Sequence, residues 1–431
     1  MTKTKIVLLS IIVALSGSGT FLFAENPEQP KIISIAKDSA PAKKIEELNL
    51  DVLADWNGKL YIVAGPQDMV HLQKERIPYT LQTVPLTPAR GQNAFSGGGV
   101  NGAYHTYQEL EADMLALQQK YPNIAQVFPL GESLEKRKIY ALKISDNVAF
   151  EEDEPEVLFL GCHHAREWIS VEVPFLMGKY LAENYASDPE VKRIVDQSEI
   201  WIVPLVNPDG LEYTLHVYRY WRKNRRDNGQ GNFGVDINRN YGYKWGIDNE
   251  GSSPSPASEV YRGTAAFSEP EARAVRDLFL RKNFQAMISF HSFSQVILYP
   301  WGYTKVPSDK NAQMREIAAE MSSRIQAVAG RVYQYGQSNG PAMYPTNGDT
   351  TDWAFGTSGT PSYTIELPPI DELGGGFFNR LEDIEPIFRE NLPAMVYLID
   401  YSIANYQPAI HNPYDLGAFL FKKIDKPDTR Y

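Results

Sequence analysis

From residue 103 onward, short apolar segments alternate with longer segments that have the periodicity of amphipathic helices. The apolar segments are Gln126–Leu130, Ile139–Ile144, Val157–Leu160, Ile200–Val206, Ala286–Phe290 and Ser362–Leu367. The helix-like segments include Tyr107–Lys120, Val171–Tyr185, Ser308–Val328 and Asn379–Tyr401. This alternation predicts an α/β fold, in which a mixed, mostly parallel sheet is flanked by helices on both faces. Ligands in such folds bind at the carboxyl ends of the strands.

The first residues have the pattern of a secretory signal peptide. Lys3 and Lys5 precede the apolar run Ile6–Leu15, and residues 1–24 lead into a polar stretch. An uncleaved membrane anchor is the alternative, although the apolar run is short for a membrane span. We therefore expect a secreted protein, extracellular or periplasmic, with no stable membrane association after the signal peptide is removed.

Residues 25–90 predict a separate, small α+β unit. Strand-like and helix-like segments alternate through it, at Lys31–Lys37, Pro41–Leu48, Lys59–Ala64, Pro66–Lys74 and Tyr79–Val84. Residues 91–102 are polar and glycine-rich, which is typical of an exposed linker. Residues 103–405 then form the main domain, and residues 406–431 are a tail to which we assign no role.

Charge and cysteine content exclude some classes of protein. The chain of 431 residues has a formal net charge of −11 at pH 7. An acidic surface does not attract phosphate backbones, so we expect no nucleic-acid partner. The single cysteine, Cys162, cannot form a disulfide within the chain. Packing or bound ions must therefore stabilise the fold, and we expect a monomer.

The segment Gly161–Ser170 (GCHHAREWIS) contains two of the chain's seven histidines. His164 and Glu167 follow an apolar segment, so both belong at the carboxyl end of a strand. Zinc in a catalytic site takes three protein ligands, and His291, which follows another apolar segment, is the strongest candidate for the third. His163 is expected to point away from its neighbour because side chains alternate along a strand. A surface ion pair or a buried core histidine remains the alternative to a metal.

Two arginine-containing segments, Trp221–Arg226 and Val235–Asn240, stand out in an acidic protein. Arginine binds a carboxylate through two parallel hydrogen bonds. Arg239 lies between two asparagines, which is typical of a fixed polar pocket. For Arg225 and Arg226, a solvated basic surface is an equally good interpretation.

Glu366 lies near the end of the apolar segment Ser362–Leu367. A carboxylate is seldom buried in such a position without a partner or a function. Two interpretations stay open. Glu366 is either a general base whose pKa is raised beside a metal site, or a paired carboxylate of the core.

Taken together, these residues resemble the zinc carboxypeptidases of the carboxypeptidase A type, from about Tyr104 to Tyr401. The matching motifs occur in the same order: HAREW, NPDG, YWRKN, GVDINRN, HSFSQVILYPWGY, YPTNGDTTDWAF and TIEL. The resemblance implies a metallocarboxypeptidase that hydrolyses the carboxy-terminal peptide bond of peptides and proteins. It also implies one zinc ion, held by His164, Glu167 and His291.

The resemblance further implies roles for residues around the ion. Glu366 would be the general base, and Arg222 would polarise the scissile carbonyl. Asn238 and Arg239 would hold the terminal carboxylate of the substrate. Further substrate contacts are implied for Tyr344, which would close over the site, and for Arg166 and Phe377. The amino-terminal unit resembles the activation segment of the family, so a zymogen with a cut near Arg90 is implied.

Two departures from the animal enzymes bear on specificity. Thr351 stands where the A type has an aliphatic residue and the B type an aspartate, which favours a broad pocket. Asp349 resembles the arrangement in bacterial carboxypeptidase T, which accepts apolar and basic terminal residues; a turn residue is the alternative interpretation. The cysteines that crosslink the animal enzymes are absent, so bound calcium is possible, but no calcium-binding loop is evident.

Three other functions fit parts of the sequence. A related endopeptidase or an amidase of cell-wall peptides would not need the INRN motif together with Tyr344. A non-catalytic peptide-binding protein would not need Glu366 or Arg222. A cysteine hydrolase is disfavoured, because Cys162 and His163 are neighbours whose side chains would point to opposite faces of a strand.

Overall fold

The computed structural model describes residues 31–36, 50–56, 59–81, 104–340, 344–370, 376–377 and 379–406. The predicted signal peptide, the predicted helix Pro41–Leu48, the linker 91–102, Arg90 and the tail beyond residue 406 lie outside the described residues. None of the described helices is both long enough and apolar enough to span a membrane.

The described part of the amino-terminal unit contains an antiparallel sheet. Its strands are β1 (Lys31–Ala36), β2 (Asp51–Trp56), β3 (Lys59–Ala64) and β4 (Thr80–Leu81), in the spatial order β2-β3-β1-β4. Helix α1 (Pro66–Lys74) follows β3, and Ile33, Ile62 and Leu72 belong to the small core of this unit. Strand β2 is not among the predicted elements. The aspartates of DVLADW interrupt the apolar pattern by which a strand is predicted.

The large sheet has eight strands among the described residues. They are β5 (Ala125–Glu132), β6 (Lys138–Ile144), β7 (Glu156–Leu160), β8 (Glu199–Val203), β9 (Phe284–Ser292), β10 (Val296–Tyr299), β11 (Gln334–Gln337) and β12 (Ser362–Leu367). Their spatial order is β11-β10-β12-β9-β7-β8-β6-β5. Four of the seven neighbouring pairs are parallel, including those that join β12, β9, β7 and β8 at the centre. The predicted mixed, mostly parallel sheet is confirmed.

Helices cover both faces of this sheet. They are α2 (Tyr107–Lys120), α3 (Ile169–Asn184), α4 (Pro189–Val195), α5 (Pro208–His216), α6 (Pro270–Arg281), α7 (Asn311–Ala329), α8 (Thr350–Ser358) and α9 (Ile384–Asn405). Within β7, Val157 and Phe159 pack into one buried cluster with residues of α3, α7 and α9. Leu158 and Leu160 pack into a second cluster with residues of α6 and α8. A strand covered on both faces favours apolar residues on both faces, which explains the unbroken apolar run that follows Glu156 in β7.

Candidate active site

Three adjacent parallel strands bring the predicted catalytic residues to one edge of the large sheet. Strand β7 ends shortly before His164 and Glu167, and His291 is the penultimate residue of β9. In β12, which pairs with β9, Glu366 lies beside His291 in the register. Parallel pairing therefore puts all four side chains at the carboxyl ends of the strands, where ligands of such sheets bind.

His164, Glu167 and His291 form a compact, buried group. Nδ1 of His164 lies 2.8 Å from Glu167 Oε1, and Nδ1 of His291 lies 2.9 Å from Oε2 of the same carboxylate. The two Nδ1 atoms are 3.1 Å apart. Atoms that each lie about 2.1 Å from a tetrahedral zinc ion are roughly 3.4 Å from one another, so this donor set fits zinc with little adjustment.

Electrostatic interactions make this group a favourable place for a cation. Burial alone would raise the pKa of Glu167, but His164 and His291 hold it well below its usual range. Burial and the charge of Arg222 lower the pKa of His164. For His291, burial lowers the pKa, yet the charge of Glu167 outweighs burial and raises it. That rise reflects the attraction of this position for positive charge, whether a proton or a metal ion.

Asp236, which precedes the turn Ile237–Arg239, connects His164 to Arg222. Its Oδ1 lies 3.3 Å from His164 Nε2. Arg222 contacts its Oδ2 through Nε at 3.0 Å and Nη2 at 2.9 Å. Burial would raise the pKa of Asp236, but Arg222 and His164 hold it well below its usual range. A carboxylate behind a metal-binding histidine fixes the ring orientation. Asp236 was not predicted, although it lies within the GVDINRN motif.

Glu366 is partly buried, and its Oε2 has no hydrogen-bond partner among the described residues. Burial and the charge of Glu167 raise the pKa of Glu366 to about 8. Within the described chain, no basic side chain forms an ion pair with this carboxylate. The environment therefore favours a general base over the alternative of a paired core carboxylate.

Asn238 and Arg239 are buried in the short 3₁₀ turn Ile237–Arg239. Arg239 donates from Nε to the carbonyl of Gly251 and from Nη1 to the carbonyl of Asn238, both at 2.8 Å. Oδ1 of Asn238 accepts from the backbone N of Thr350 at 2.9 Å and from its Oγ1 at 2.8 Å. These bonds leave Nη2 of Arg239 as a donor, and Nδ2 of Asn238 lies 3.5 Å from Nε2 of His291. In the described chain, no carboxylate pairs with the guanidinium. The arrangement suits an anionic ligand.

Asp349 and Thr351 lie at the start of α8, where Asp349 is the N-cap residue. The Asp349 carboxylate accepts from Asp352 N at 2.9 Å, from Thr351 Oγ1 at 2.8 Å and from Thr346 Oγ1 at 2.8 Å. These bonds favour the alternative interpretation of Asp349 as a turn residue that caps a helix. A contact between Asp349 or Thr351 and substrate stays a prediction.

The other predicted substrate contacts divide into a buried pair and an exposed residue. Arg166 and Phe377 are buried, and the guanidinium lies 4.4 Å from the ring centroid. Arg219, which was not predicted, donates to the carbonyl oxygens of both residues at 2.6 Å and lies 3.5 Å over the ring of Trp168. Tyr344, in contrast, is 54% exposed and has no hydrogen bond to another described residue. The structure does not bring Tyr344 into contact with the metal group.

Arg225 and Arg226 are used within the fold rather than on a solvated basic surface. The Arg225 guanidinium lies 3.6 Å from the ring centroid of Tyr213 and 4.7 Å from that of Trp221. Arg226 forms an ion pair with Glu269 at 2.7 Å. The surface interpretation of these two arginines is therefore wrong.

A second group of carboxylates lies between β6 and β7, at the end of β7 away from the site. Asp146, Glu152 and Glu154 offer oxygen atoms that are all within 4.8 Å of one another. Burial and the neighbouring carboxylates raise the pKa of Glu154 to about 7. Such partly exposed acidic groups are common without a bound ion, so calcium binding stays a prediction.

Comparisons with known proteins agree with this geometry. The model of the zinc carboxypeptidase family matches residues 110–394. A zinc carboxypeptidase of Saccharothrix mutabilis subsp. capreolus is 31% identical over 407 residues, which cover 90% of this chain and 92% of that protein. Zinc carboxypeptidase A 1 of Anopheles gambiae is 31% identical over 356 residues, 82% of this chain and 79% of that protein.

The fold is also similar to that of solved carboxypeptidases. Carboxypeptidase A from Helicoverpa armigera superposes with a TM-score of 0.75 at 25% identity, covering 88% of this chain and 99% of that structure. The family model covers more than half of the chain, and the residues grouped at the strand ends suit the single zinc ion that the family uses. The chain therefore belongs to the zinc carboxypeptidase family, and it is a zinc-dependent metallocarboxypeptidase.

Proposed function

We propose that the protein removes the carboxy-terminal residue from peptides and proteins that end in a free carboxylate. One observation carries the proposal: Glu366, whose Oε2 is unpartnered among the described residues, lies beside His291 in the sheet register. A base next to a metal group is what the hydrolysis of a peptide bond requires.

We assign His164, Glu167 and His291 as the ligands of one zinc ion. When bound, zinc supplies Lewis acidity, which polarises a carbonyl group and makes water more acidic. Asp236, 3.3 Å from His164 Nε2, holds the ring so that Nδ1 points into the group. Glu167 contributes the negative charge that balances the ion.

Glu366 transfers the proton, and Arg222 stabilises the negative charge that develops on the carbonyl oxygen. Glu366 accepts a proton from the attacking water at its unpartnered Oε2 and later returns it to the leaving amine. Arg222 donates hydrogen bonds to the carbonyl oxygen as negative charge develops there. Its guanidinium is already oriented by Asp236, through contacts at 3.0 Å and 2.9 Å. Such a preorganised donor typically contributes about 10²–10³ in turnover.

Arg239 and Asn238 select the end of the peptide chain. A buried guanidinium without an anionic partner among the described residues favours a ligand that brings one. The bonds from Thr350 fix Oδ1 of the Asn238 amide, and Nδ2 lies on the side of the metal group, 3.5 Å from His291 Nε2. A terminal carboxylate satisfies both donors, whereas an amidated terminus cannot pair with the guanidinium charge.

The proposal is tested with matched peptides that end in a free carboxylate or in an amide. We expect the amidated peptide to be cut about 10²-fold more slowly or worse, because it leaves buried donors unpaired. Zinc chelation should stop both reactions. Arg239→Ala should lose most of this discrimination, whereas Arg324→Ala, in an exposed ion pair with Glu320, should keep it. Equal cleavage of the two peptides would instead favour the endopeptidase or amidase alternative.

We further propose a broad terminal-residue preference in which apolar residues are favoured. Thr351, by its position in the family motif, offers neither an aliphatic surface nor a charge. The Asp349 carboxylate is committed to three internal hydrogen bonds, so a basic terminal residue would compete with the helix cap. The same assay, with peptides that end in phenylalanine or arginine, measures this preference directly.

We also propose that the protein is made as a secreted zymogen. Support comes from the signal-peptide pattern of residues 1–24 and from the small antiparallel unit that precedes the main domain. Cleavage near Arg90 would separate that unit from the catalytic domain.

A further inference from the structure

His163 is a buried histidine that the proposed mechanism does not use. It precedes the candidate ligand His164, but it is not part of the group that could hold a metal ion. Its ring instead stacks on that of His291, with centroids 5.6 Å apart and planes 12° apart. This side chain therefore lies directly behind the metal group.

Both ring nitrogens of His163 contact hydroxyl groups. Nδ1 lies 3.2 Å from Ser289 Oγ. Nε2 lies 2.9 Å from the hydroxyl of Tyr241 and 3.1 Å from Thr350 Oγ1. A buried imidazole with hydroxyl partners on both sides is fully hydrogen-bonded, so it has no unmet need for a metal or a substrate.

Two of these three hydroxyl groups, those of Ser289 and Thr350, connect His163 to two different parts of the site. Ser289 Oγ lies 3.1 Å from Nε2 of His291, the candidate zinc ligand. Thr350 Oγ1 donates to Oδ1 of Asn238, the candidate carboxylate anchor, at 2.8 Å. His163 is thus the link in a continuous chain of hydrogen bonds between the metal group and the anchor.

One condition gives the hydrogen bonds of this chain a consistent direction. If Nδ1 of His291 binds the ion, Nε2 carries the hydrogen and donates to Ser289. The Ser289 hydroxyl then donates to Nδ1 of His163, whose own hydrogen is on Nε2. That N–H is shared between the hydroxyl oxygens of Tyr241 at 2.9 Å and Thr350 at 3.1 Å, and the Thr350 hydroxyl donates to Asn238. Each of these donors therefore meets an acceptor. Nδ2 of Asn238 lies 3.5 Å from His291 Nε2, but an Nε2 that carries its hydrogen cannot accept, so Nδ2 stays available for substrate.

We propose that His163 is a positioning residue that couples the orientation of the zinc ligand His291 to that of the anchor Asn238. The inference rests on the proposed ligand set and goes beyond it. Hydrogen-bonded neighbours of a metal ligand fix its tautomer and ring orientation. Here one imidazole does so for the ligand and, through its other nitrogen, orders the amide that holds the substrate.

The first test measures zinc affinity by competition with a chromogenic chelator. Ser289→Ala removes the hydroxyl that contacts His291 Nε2, and His163→Leu removes the acceptor that orients that hydroxyl. We expect each variant to bind zinc about 10–100-fold more weakly. Ser362→Ala is the matched control, because Ser362 is also a buried strand serine, and its hydroxyl donates to the carbonyl of Thr360 at 2.8 Å. Its zinc affinity should equal that of the wild type.

The second test separates the two ends of the chain with conservative variants. His163→Asn keeps an acceptor near the Nδ1 position. Compared with His163→Leu, it should recover most of the zinc affinity, while KM stays above the wild-type value. His163→Gln keeps a donor near the Nε2 position, so it should recover KM while zinc binding stays weak. A purely structural role for His163 would change folding stability without this split between zinc affinity and KM.

The outcomes distinguish this inference from the proposed function. His291→Ala should abolish tight zinc binding; if it does not, the ligand assignment itself is wrong. If His291→Ala abolishes binding but Ser289→Ala binds zinc within twofold of the wild type, only the role of the hydrogen-bond chain is overturned. Ser289→Ala removes a single hydroxyl, so it stays informative if His163→Leu does not fold.

Discussion

The carboxyl group of Glu366 is held where its affinity for a proton suits a base that works near neutral pH. Burial and the charge of Glu167 raise its pKa to about 8, and a bound zinc ion would lower that pKa again. The carboxylate can therefore be ionised before catalysis and still take up a proton during it. The pairing of β12 with β9 places Glu366 close to the metal group. A substitution of the side chain does not alter this backbone pairing.

We predict that Glu366→Gln abolishes most of the turnover but leaves the site intact. The amide has nearly the same shape as the carboxyl group and cannot accept the proton, so kcat should fall by about 10²–10⁴. Zinc content and KM should change little. Steady-state kinetics and metal analysis check this, with Glu320→Gln, an exposed glutamate of α7, as the control. A kcat within tenfold of the wild-type value would exclude Glu366 as the base.

The residues that touch substrate or metal were more predictable than the residues that support them. His164, Glu167 and His291 are recognisable because chemistry demands their types at strand ends. Asp236, Ser289 and Arg219 were missed for a physical reason. Each acts through a contact with a distant segment, and nothing in the local sequence tells a buried supporting group from an ordinary polar residue.

Elements were predicted best where the apolar pattern was long. Helices α1 and α2 and strands β3 and β12 have the predicted bounds. Strand β8 ends at Val203, three residues before the predicted end, and β9 extends beyond the predicted segment at both ends. Strands β10 and β11 were not predicted. β10 (VILY) is apolar, but its four residues are too few to tell a strand from another buried segment, and β11 (QYGQ) is a partly exposed edge strand without an apolar pattern.

Helix α9 begins at Ile384 rather than at the predicted Asn379. Pro386 is the reason. Proline lacks an N–H and clashes with the carbonyl four residues earlier, so the first turn of a helix accepts it at the lowest cost, although Pro393 lies inside α9. A start at Ile384 puts Pro386 in that first turn, and the preceding residues Leu381–Asp383 form a separate 3₁₀ turn.

His105 ties the start of the main domain to two helices. Its Nδ1 lies 2.7 Å from Glu172 of α3, and its Nε2 lies 3.2 Å from Asp113 of α2. Burial alone would lower the pKa of His105, but the charge of Glu172 and the hydrogen bonds to both carboxylates raise it to about 10. The folded state therefore binds this proton more tightly than the unfolded state, whose pKa is near 6.5.

We predict that this contact makes the fold less stable at alkaline pH. Because the folded pKa is raised, the stabilisation is complete below pH 6.5 and is lost as the pH rises through 10. Urea unfolding at pH 6.5 and pH 10 should show a smaller loss for His105→Gln, which does not titrate, than for the wild type. His216→Gln, at an exposed histidine of α5, should lose as much as the wild type. An equal loss in His105→Gln would contradict the prediction.

At the scale of the whole molecule, the small amino-terminal unit should control access to the site. We predict that an arginine-specific protease activates the secreted chain by cleavage at Arg90, raising kcat/KM for peptides by at least about tenfold. Arg90→Gln should resist this activation. Arg76→Gln, at another arginine of the same unit, should be activated like the wild type. Full activity of the uncleaved chain would argue against a zymogen.

The three candidate zinc ligands come from the loop after β7 and from the end of strand β9. These come together only when the central sheet is complete, since His164 and His291 are 127 positions apart in the sequence. A peptide that contains only the HAREW segment has two of the three ligands, so it cannot bind the ion on its own as a zinc finger does. Zinc binding should therefore require the complete tertiary structure. During refolding, zinc uptake should lag behind the recovery of the helical circular dichroism signal. The ion would then stabilise a fold that has already formed rather than nucleate its folding.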